Sequence, residues 1–313
     1  MAQFQGWADA PSTGAYQEHE IAPVFRQAVA KTLFFPRAKR LSMKSGDAIT
    51  IPIRGSLARP SGGTALTESI SIPLDKLSIT TKSLDLTERG RGVMVSRIAM
   101  NRSPIALLQE HQVALSEQLA LDLDVVAATA FKSSQLVYAA TGAASYNLAT
   151  GGSAGAAAVS NANFYHIRKM RDLAFRTYLM PSLPNGRYEF IVSTSGIRGI
   201  LDDPEFIEIN APQNSEIFKR NQVGRISDVD IIESQHDAAL DDDVGTNSDV
   251  GEGVFIAKDY CYSAMMEMPK IHWDRTHDHG RFTSLAWHGD YGVESSTDSA
   301  NAGLVRGIYF SST

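Results

Sequence analysis

The chain has 313 residues, 43% of them hydrophobic and 20% charged, which supports a folded body with a sizeable core and excludes an intrinsically disordered chain. Its 29 basic and 35 acidic side chains leave a formal net charge of -6, excluding a surface that traps nucleic acid by overall charge. A single cysteine, Cys261, excludes an internal disulfide and an all-cysteine zinc cluster.

Residues Met1 to Trp7 lack the basic start and apolar stretch of a secretory signal. No apolar run approaches the ~20 residues needed to span a bilayer, so synthesis in a reducing cytosol is expected. From Val24 to Lys44 the chain carries Arg26, Lys31, Arg37, Lys39, Arg40 and Lys44 and no acidic residue. Between Gln235 and Gly253 the pattern reverses, with Asp237, Asp241, Asp242, Asp243, Asp249 and Glu252 and no Lys or Arg. Two such runs are either solvated faces or surfaces that meet between copies.

Residues 47–73 read as a long β-hairpin. Ile49, Ile51 and Ile53 alternate with polar or small residues, Gly55, Pro60, Gly62 and Gly63 turn the chain, and Leu66, Ile70 and Ile72 repeat the alternation. A lone two-stranded hairpin is marginal in water, so its isoleucines need a cover from the chain's own body or from a neighbour. The next run alternates as Leu77, Ile79, Thr81 and then changes phase to Leu84, Leu86, which predicts a bulge or bend. Ser103-Pro104 predicts the start of a helix running to about Phe131, with Leu108, Leu115, Leu119 and Val126 on one stripe. Residues 139–160, rich in Ala, Gly, Ser and Thr, read as a loop. A second helix is expected from Asn161 to about Tyr178, ended by Pro181 and Pro184. A strand at Tyr188–Val192 precedes a short helix capped by Ser193 or Thr194. Strand-like runs follow at Val229–Ile232, Val254–Ile256, Tyr260–Met266, Phe282–Trp287 and Leu304–Phe310. The order predicts an α+β fold.

Candidate chemistry is sparse. Gly151-Gly-Ser-Ala-Gly155 matches the nucleophile-elbow spacing around Ser153, but its flanks supply neither the strand nor the helix that this motif requires. His272, His277 and His279, with Asp274 and Asp278, are the densest set of potential ligands, yet their spacing fits no helix-borne metal arrangement and reads as a polar loop. Asp241-Asp-Asp243-Val-Gly245 places its glycine one position early for a calcium loop and lacks the closing glutamate. No catalytic, cofactor-binding or metal-ligating residues are assigned and no cofactor is expected, because nowhere do a nucleophile, a base and an oxyanion donor converge. A serine or metal-dependent hydrolase is therefore kept only as an alternative.

Several phrases, in order, carry a resemblance: Tyr188-Glu-Phe-Ile-Val192, Asp203-Pro-Glu-Phe206, Val223-Gly-Arg-Ile226, Val229-Asp-Ile-Ile-Glu233-Ser234 and Ala286-Trp-His-Gly-Asp-Tyr-Gly292. With the basic arm, hairpin and long helix before them, they resemble the major capsid proteins of tailed bacteriophages, with the Hong Kong 97 (Johnson) fold, and are most similar to the phage N4-type capsid family. The resemblance implies an N-terminal arm at 1–46, a projecting hairpin (the E-loop) at 47–76, and a peripheral domain at 77–182 holding a spine helix at 103–131. It further implies an axial domain at 183–252 and a return to the peripheral domain at 253–313. It implies pentamers and hexamers of this chain in an icosahedral head around double-stranded DNA, held non-specifically. Separate scaffolding and portal proteins, and a decoration protein, are the further partners implied; no membrane is. The residues expected to meet neighbouring copies are Arg26, Lys31, Arg37, Lys39 and Arg40 of the arm, Ile51, Ile53, Arg54, Arg59 and Ile70 of the hairpin, and Asp241, Asp242 and Asp243 of the acidic run. The covalent cross-linking residues of the founding member have no mapped counterpart. The alternative within the same resemblance is a virion accessory protein of decoration or tail type.

Overall fold

In a computed structural model of the chain, the described residues are 30–42, 46–55, 57, 76–103, 106–153, 155, 157–206, 222–246, 248–296 and 298–311. The chain enters through a short 3-10 turn at Phe35–Arg37, favoured by Pro36 in its first turn, and continues into β1 (Lys39–Ser42). Strand β2 (Ala48–Arg54) pairs antiparallel with β3 (Ile79–Asp85), Ile51 opposite Lys82. The described partner of β2 is therefore Ile79–Asp85; the expected return run through Leu66, Ile70 and Ile72 lies outside the described residues, together with Arg59. The bulge or bend expected between Thr81 and Leu84 is absent: β3 keeps one register from Ile79 to Asp85, and Ile79 is exposed on the face opposite Leu84. The chain breaks at Leu86, and β4 (Thr87–Ser96) joins a different sheet.

The long helix starts later than expected. Ser96 caps α1 (Arg97–Arg102) by accepting the Ala99 N–H, and Ser103 closes that helix instead of opening the next. The beam itself is α2 (Leu107–Lys132), 26 residues, about 39 Å at helical rise. Residues 139–149, expected to be loop, form the hairpin of β5 (Val137–Gly142) and β6 (Ser145–Ala149). Strand β5 is mostly buried between β6 and β13, with Tyr138 completely buried in it. The second helix, α3 (Phe164–Asp172), is capped by the Asn163 side chain and loosens into a π turn at Leu173–Thr177. Strand β7 (Tyr188–Ser193) leads to α4 (Thr194–Leu201), which Ser193 caps. Then follow β8 (Gln222–Ile226), β9 (Val229–Ser234), β10 (Gly253–Ile256), β11 (Cys261–His277), β12 (Phe282–Ser295) and β13 (Gly307–Phe310).

These strands form three sheets. A seven-stranded mixed sheet has the order β6-β5-β13-β10-β7-β9-β8, a four-stranded sheet the order β1-β11-β12-β4, and β2-β3 stand as a two-stranded ribbon. The central strands of the large sheet are apolar on both faces, as sheets covered on both sides must be. Phe190, Val192, Phe255 and Phe310 face Ile167 and Met170 of α3 and Ile197 and Ile200 of α4. Ile191, Val254 and Ile256 face the other way, toward Leu33, Phe34 and the Ala127, Ala128 and Phe131 end of α2. The opposite end of α2 lays Leu115, with Leu108, Leu119, Leu123 and Val126, on Leu285, Trp287 and Tyr291 of the four-stranded sheet. One helix thus tethers both sheets.

Candidate assembly surfaces

The ribbon carries its apolar row on one face. Ile49, Ile51 and Ile53 are half-buried while Thr50, Pro52 and Arg54 are exposed. At the root of the same face, Leu84 is fully buried. Gly292 makes that docking possible: a Cβ there would stand 2.2 Å from the Asp85 carbonyl oxygen, closer than any side chain tolerates. Beside Leu84, the Lys82 ammonium donates to Ser295 Oγ at 2.7 Å and pairs with Glu294 at 2.9 Å and with Asp298. A cleft bounded by Ile51, Ile53, Tyr262, Leu304 and Arg306 separates the ribbon root from the body. The cover for Ile51 and Ile53 in this subunit is therefore partial and comes from the chain itself.

The basic residues of the N-terminal segment divide into two groups. Arg37 is turned inward, its Nε 2.5 Å from Glu189 Oε2 and its Nη1 donating to the Leu33 carbonyl. Lys39 pairs with Asp259 at 2.9 Å and lies 5.6 Å from the centre of the Tyr262 ring; the Asp259 hydrogen bond raises its pKa above the ordinary lysine value. Lys31, Arg40 and Arg54 are exposed. Arg26 lies outside the described residues.

The acidic run is a braced loop. Asp242 accepts the Ser195 N–H at 2.8 Å at the start of α4, where a carboxylate complements the helix dipole. Asp241 accepts the Asp243 N–H at 3.0 Å, and both residues are exposed. Glu252, buried at the far end of the run, accepts the Asp241 N–H at 3.0 Å, pairs with Lys132 at 2.9 Å and is hydrogen-bonded by the Tyr309 hydroxyl. Burial and then that bond push the Tyr309 phenol well above its ordinary value. The structure therefore leaves Asp241 and Asp243 facing outward while spending Asp242 and Glu252 on the loop's own shape.

The other candidates separate from any chemistry. Ser153 is exposed in bends after β6, and the next helix begins only at Phe164. The expected polar loop around His272 is the far end of β11, where His272 stacks on His288 of β12 with ring centres 4.4 Å apart. Among the described residues, no group of three or more His, Cys, Asp or Glu is placed to hold a metal ion. No helix of the described residues is long and apolar enough to cross a membrane. Asp124 was missed from sequence, although a carboxylate inside the apolar window of a long helix is a visible signal. It is completely buried and accepts the N–H groups of Leu33, Phe34 and Phe35 at 2.9, 2.7 and 3.1 Å.

A family model described as phage capsid protein matches residues 79–288, well over half of the chain and spanning the long helix and most of both larger sheets. The chain belongs to this phage capsid protein family. Its architecture is similar at full length to solved phage capsids. The capsid of Ralstonia phage GP4 is 14% identical with a TM-score of 0.65, covering 99% of this chain and 97% of that one. The head structure of Helicobacter pylori bacteriophage KHP40 is 13% identical, with a TM-score of 0.68 and coverage of 99% and 98%. The cyanophage Pam1 capsid is 14% identical, with a TM-score of 0.66 and coverage of 99% for each chain. No curated protein matches the sequence significantly. The expected identification as a phage capsid protein, a structural component of the virion, agrees with the family assignment, and the mixed α/β fold agrees with these structures. Capsid proteins are not enzymes in general, and copies of the chain are its first partner.

Proposed function

We propose that this capsid protein is the shell-forming subunit of an icosahedral phage head, assembling into pentamers and hexamers around double-stranded DNA on a Hong Kong 97-like plan of the N4 type. In this reading residues 1–46 are an arm and 47–76 the E-loop; both reach neighbouring copies, while α2 serves as the spine. Residues 183–252 make up the axial part, with Asp241 and Asp243 near a capsomer centre, and 253–313 return to the periphery. Synthesis takes place in the host cytoplasm, separate scaffolding and portal proteins guide closure, and a decoration protein can bind outside.

The observation that carries this reading is the ribbon. The chain sends out two strands whose isoleucine row is only half covered by its own body. Closed shells require heterologous contacts, in which one patch meets a different patch on the next copy, and an extended ribbon supplies a large contact from a small body. Mild overall acidity also suits a container that must not grip packed DNA tightly. Deleting residues 55–65 is expected to abolish closed particles in negative-stain microscopy while circular dichroism and the unfolding midpoint of the subunit stay close to wild type. Normal particles from that deletion would sink the ribbon assignment. Small rings or trimers from the intact chain, co-produced with its scaffolding partner, would favour an accessory role instead.

A further inference from the structure

The buried carboxylate of Asp124 joins two segments that are distant in sequence. Its Oδ1 accepts three consecutive backbone N–H groups, those of Leu33, Phe34 and Phe35. Its Oδ2 lies 3.2 Å from Nδ1 of His236, itself buried. A carboxylate only accepts, so Nδ1 carries the proton and donates it. The His236 carbonyl in turn accepts the N–H groups of Ala239 and Leu240, at 3.0 and 3.1 Å, and so starts the acidic loop. Leu33, Phe34, Ala239 and Leu240 share one apolar cluster with Phe131 of the same helix. The loop's far end returns to that helix through the Lys132–Glu252 pair.

We propose that Asp124 is a coupling junction through which the seating of residues 33–35 and the shape of the acidic loop 236–243 depend on each other. A buried carboxylate must keep its hydrogen bonds, because each one lost leaves charge uncompensated in a low-dielectric interior. When residues 33–35 leave, Oδ1 loses three donors at once, and the carboxylate must shift toward water or toward His236. Either movement disturbs the turn built on the His236 carbonyl. Coupling between two sites is reciprocal, so loosening the loop must loosen the N-terminal segment equally. The junction lies within one chain and holds whether or not these segments meet neighbouring copies. If they do, contact at one would be felt at the other.

Hydrogen exchange on the full-length, unassembled chain tests this in both directions. His236→Leu removes the donor to Oδ2. It is expected to speed exchange at 236–243 and also at 33–37, each by roughly tenfold or more, the scale of one hydrogen bond to a charged group. Phe34→Ala, made on the N-terminal side of the cluster it shares with Ala239 and Leu240, is expected to speed exchange at 236–243 as well, and to do so less in an Asp124→Asn background. Asp124→Asn should loosen both segments. In all three, the amides of β10 and β13 should keep their protection. Loosening confined to the substituted segment would overturn the proposal, and so would equal loosening of β10 and β13, since the two segments would then share only global stability. If His236→Leu does not fold, Phe34→Ala decides when compared in the wild-type and Asp124→Asn chains: an equal effect at 236–243 in both would overturn the proposal, because the link would then be apolar packing and not Asp124.

Discussion

The seven-stranded sheet and the two-stranded ribbon solve the same problem in opposite ways. Each strand of the sheet's centre is apolar on both faces, and the chain covers both, with α3 and α4 on one side and the end of α2 on the other. The ribbon is apolar on one face and buries a single side chain completely, Leu84. Two strands cannot stabilise themselves in water, so the ribbon keeps its shape by what it touches. Stability therefore resides in the sheet, and the capacity for new contact resides in the ribbon.

The contrast can be broken experimentally, beginning with the largest effect. Phe131→Ala removes a fully buried ring packed between Phe34 and Tyr260 and is expected to cost about 3–5 kcal/mol of global stability by denaturant unfolding. A midpoint indistinguishable from wild type would show that the helix is not part of the stabilising core. Leu84→Ala is expected to cost about 2–4 kcal/mol, but locally: hydrogen exchange should accelerate in β2 and β3 while the global midpoint moves little. A full shift of the midpoint would mean that ribbon and body unfold as one.

His166 sharpens the comparison from the side of the sheet. It is completely buried, its Nδ1 accepting from the Tyr138 hydroxyl at 2.9 Å and its Nε2–H donating to the Gly142 carbonyl at 3.0 Å. Burial lowers its pKa below the ordinary 6.5. The unfolded chain thus binds this proton more readily than the folded one, so the contribution is complete above pH 6.5 and is lost as pH falls below it. The slope should reach at most about 1.4 kcal/mol per pH unit. His166→Asn should flatten it, and an unchanged slope in that variant would assign the acid sensitivity elsewhere. The smallest effect belongs to Lys82→Met. Its carboxylate partners are substantially exposed, so screening holds the loss below about 1 kcal/mol. That loss should vanish in high salt, and a salt-independent loss would point to packing of the side chain instead.

Much of this architecture is visible in one dimension because local patterns report local burial. The stripe Leu108, Leu115, Leu119, Val126 does lie on one sheet, and the Ser193 cap does open α4. Local signals misled where a partner outside the window decided the outcome. Ser103-Pro104 looks like a helix start, but Ser96 had already begun a shorter helix that Ser103 ends. The residues after 139 look like loop, yet they close a local hairpin with β6, and that hairpin is held in the sheet by β13 pairing at Val137 and Tyr138. Small residues give no alternation to read, and periodicity cannot report a pairing partner more than 150 residues away.

The site divides along the same line. Charge runs are legible in the chain, but whether a charge faces outward is not. Arg37 and Lys39 read as free basic residues of an arm until Glu189 and Asp259 meet them. Asp242 and Glu252 read as part of an acidic surface until the Ser195 N–H and Lys132 occupy them.

The resemblance carried by the order of its phrases was enough to place this chain among phage capsid proteins, because element order and spacing are written along the chain. Folding alone decided which charges remain available and which bonds tie the N-terminal segment, the long helix and the acidic loop at Asp124. Ion pairs and buried carboxylates depend on distances through space between residues such as Leu33, Asp124 and His236, and a linear sequence records only their separation along it.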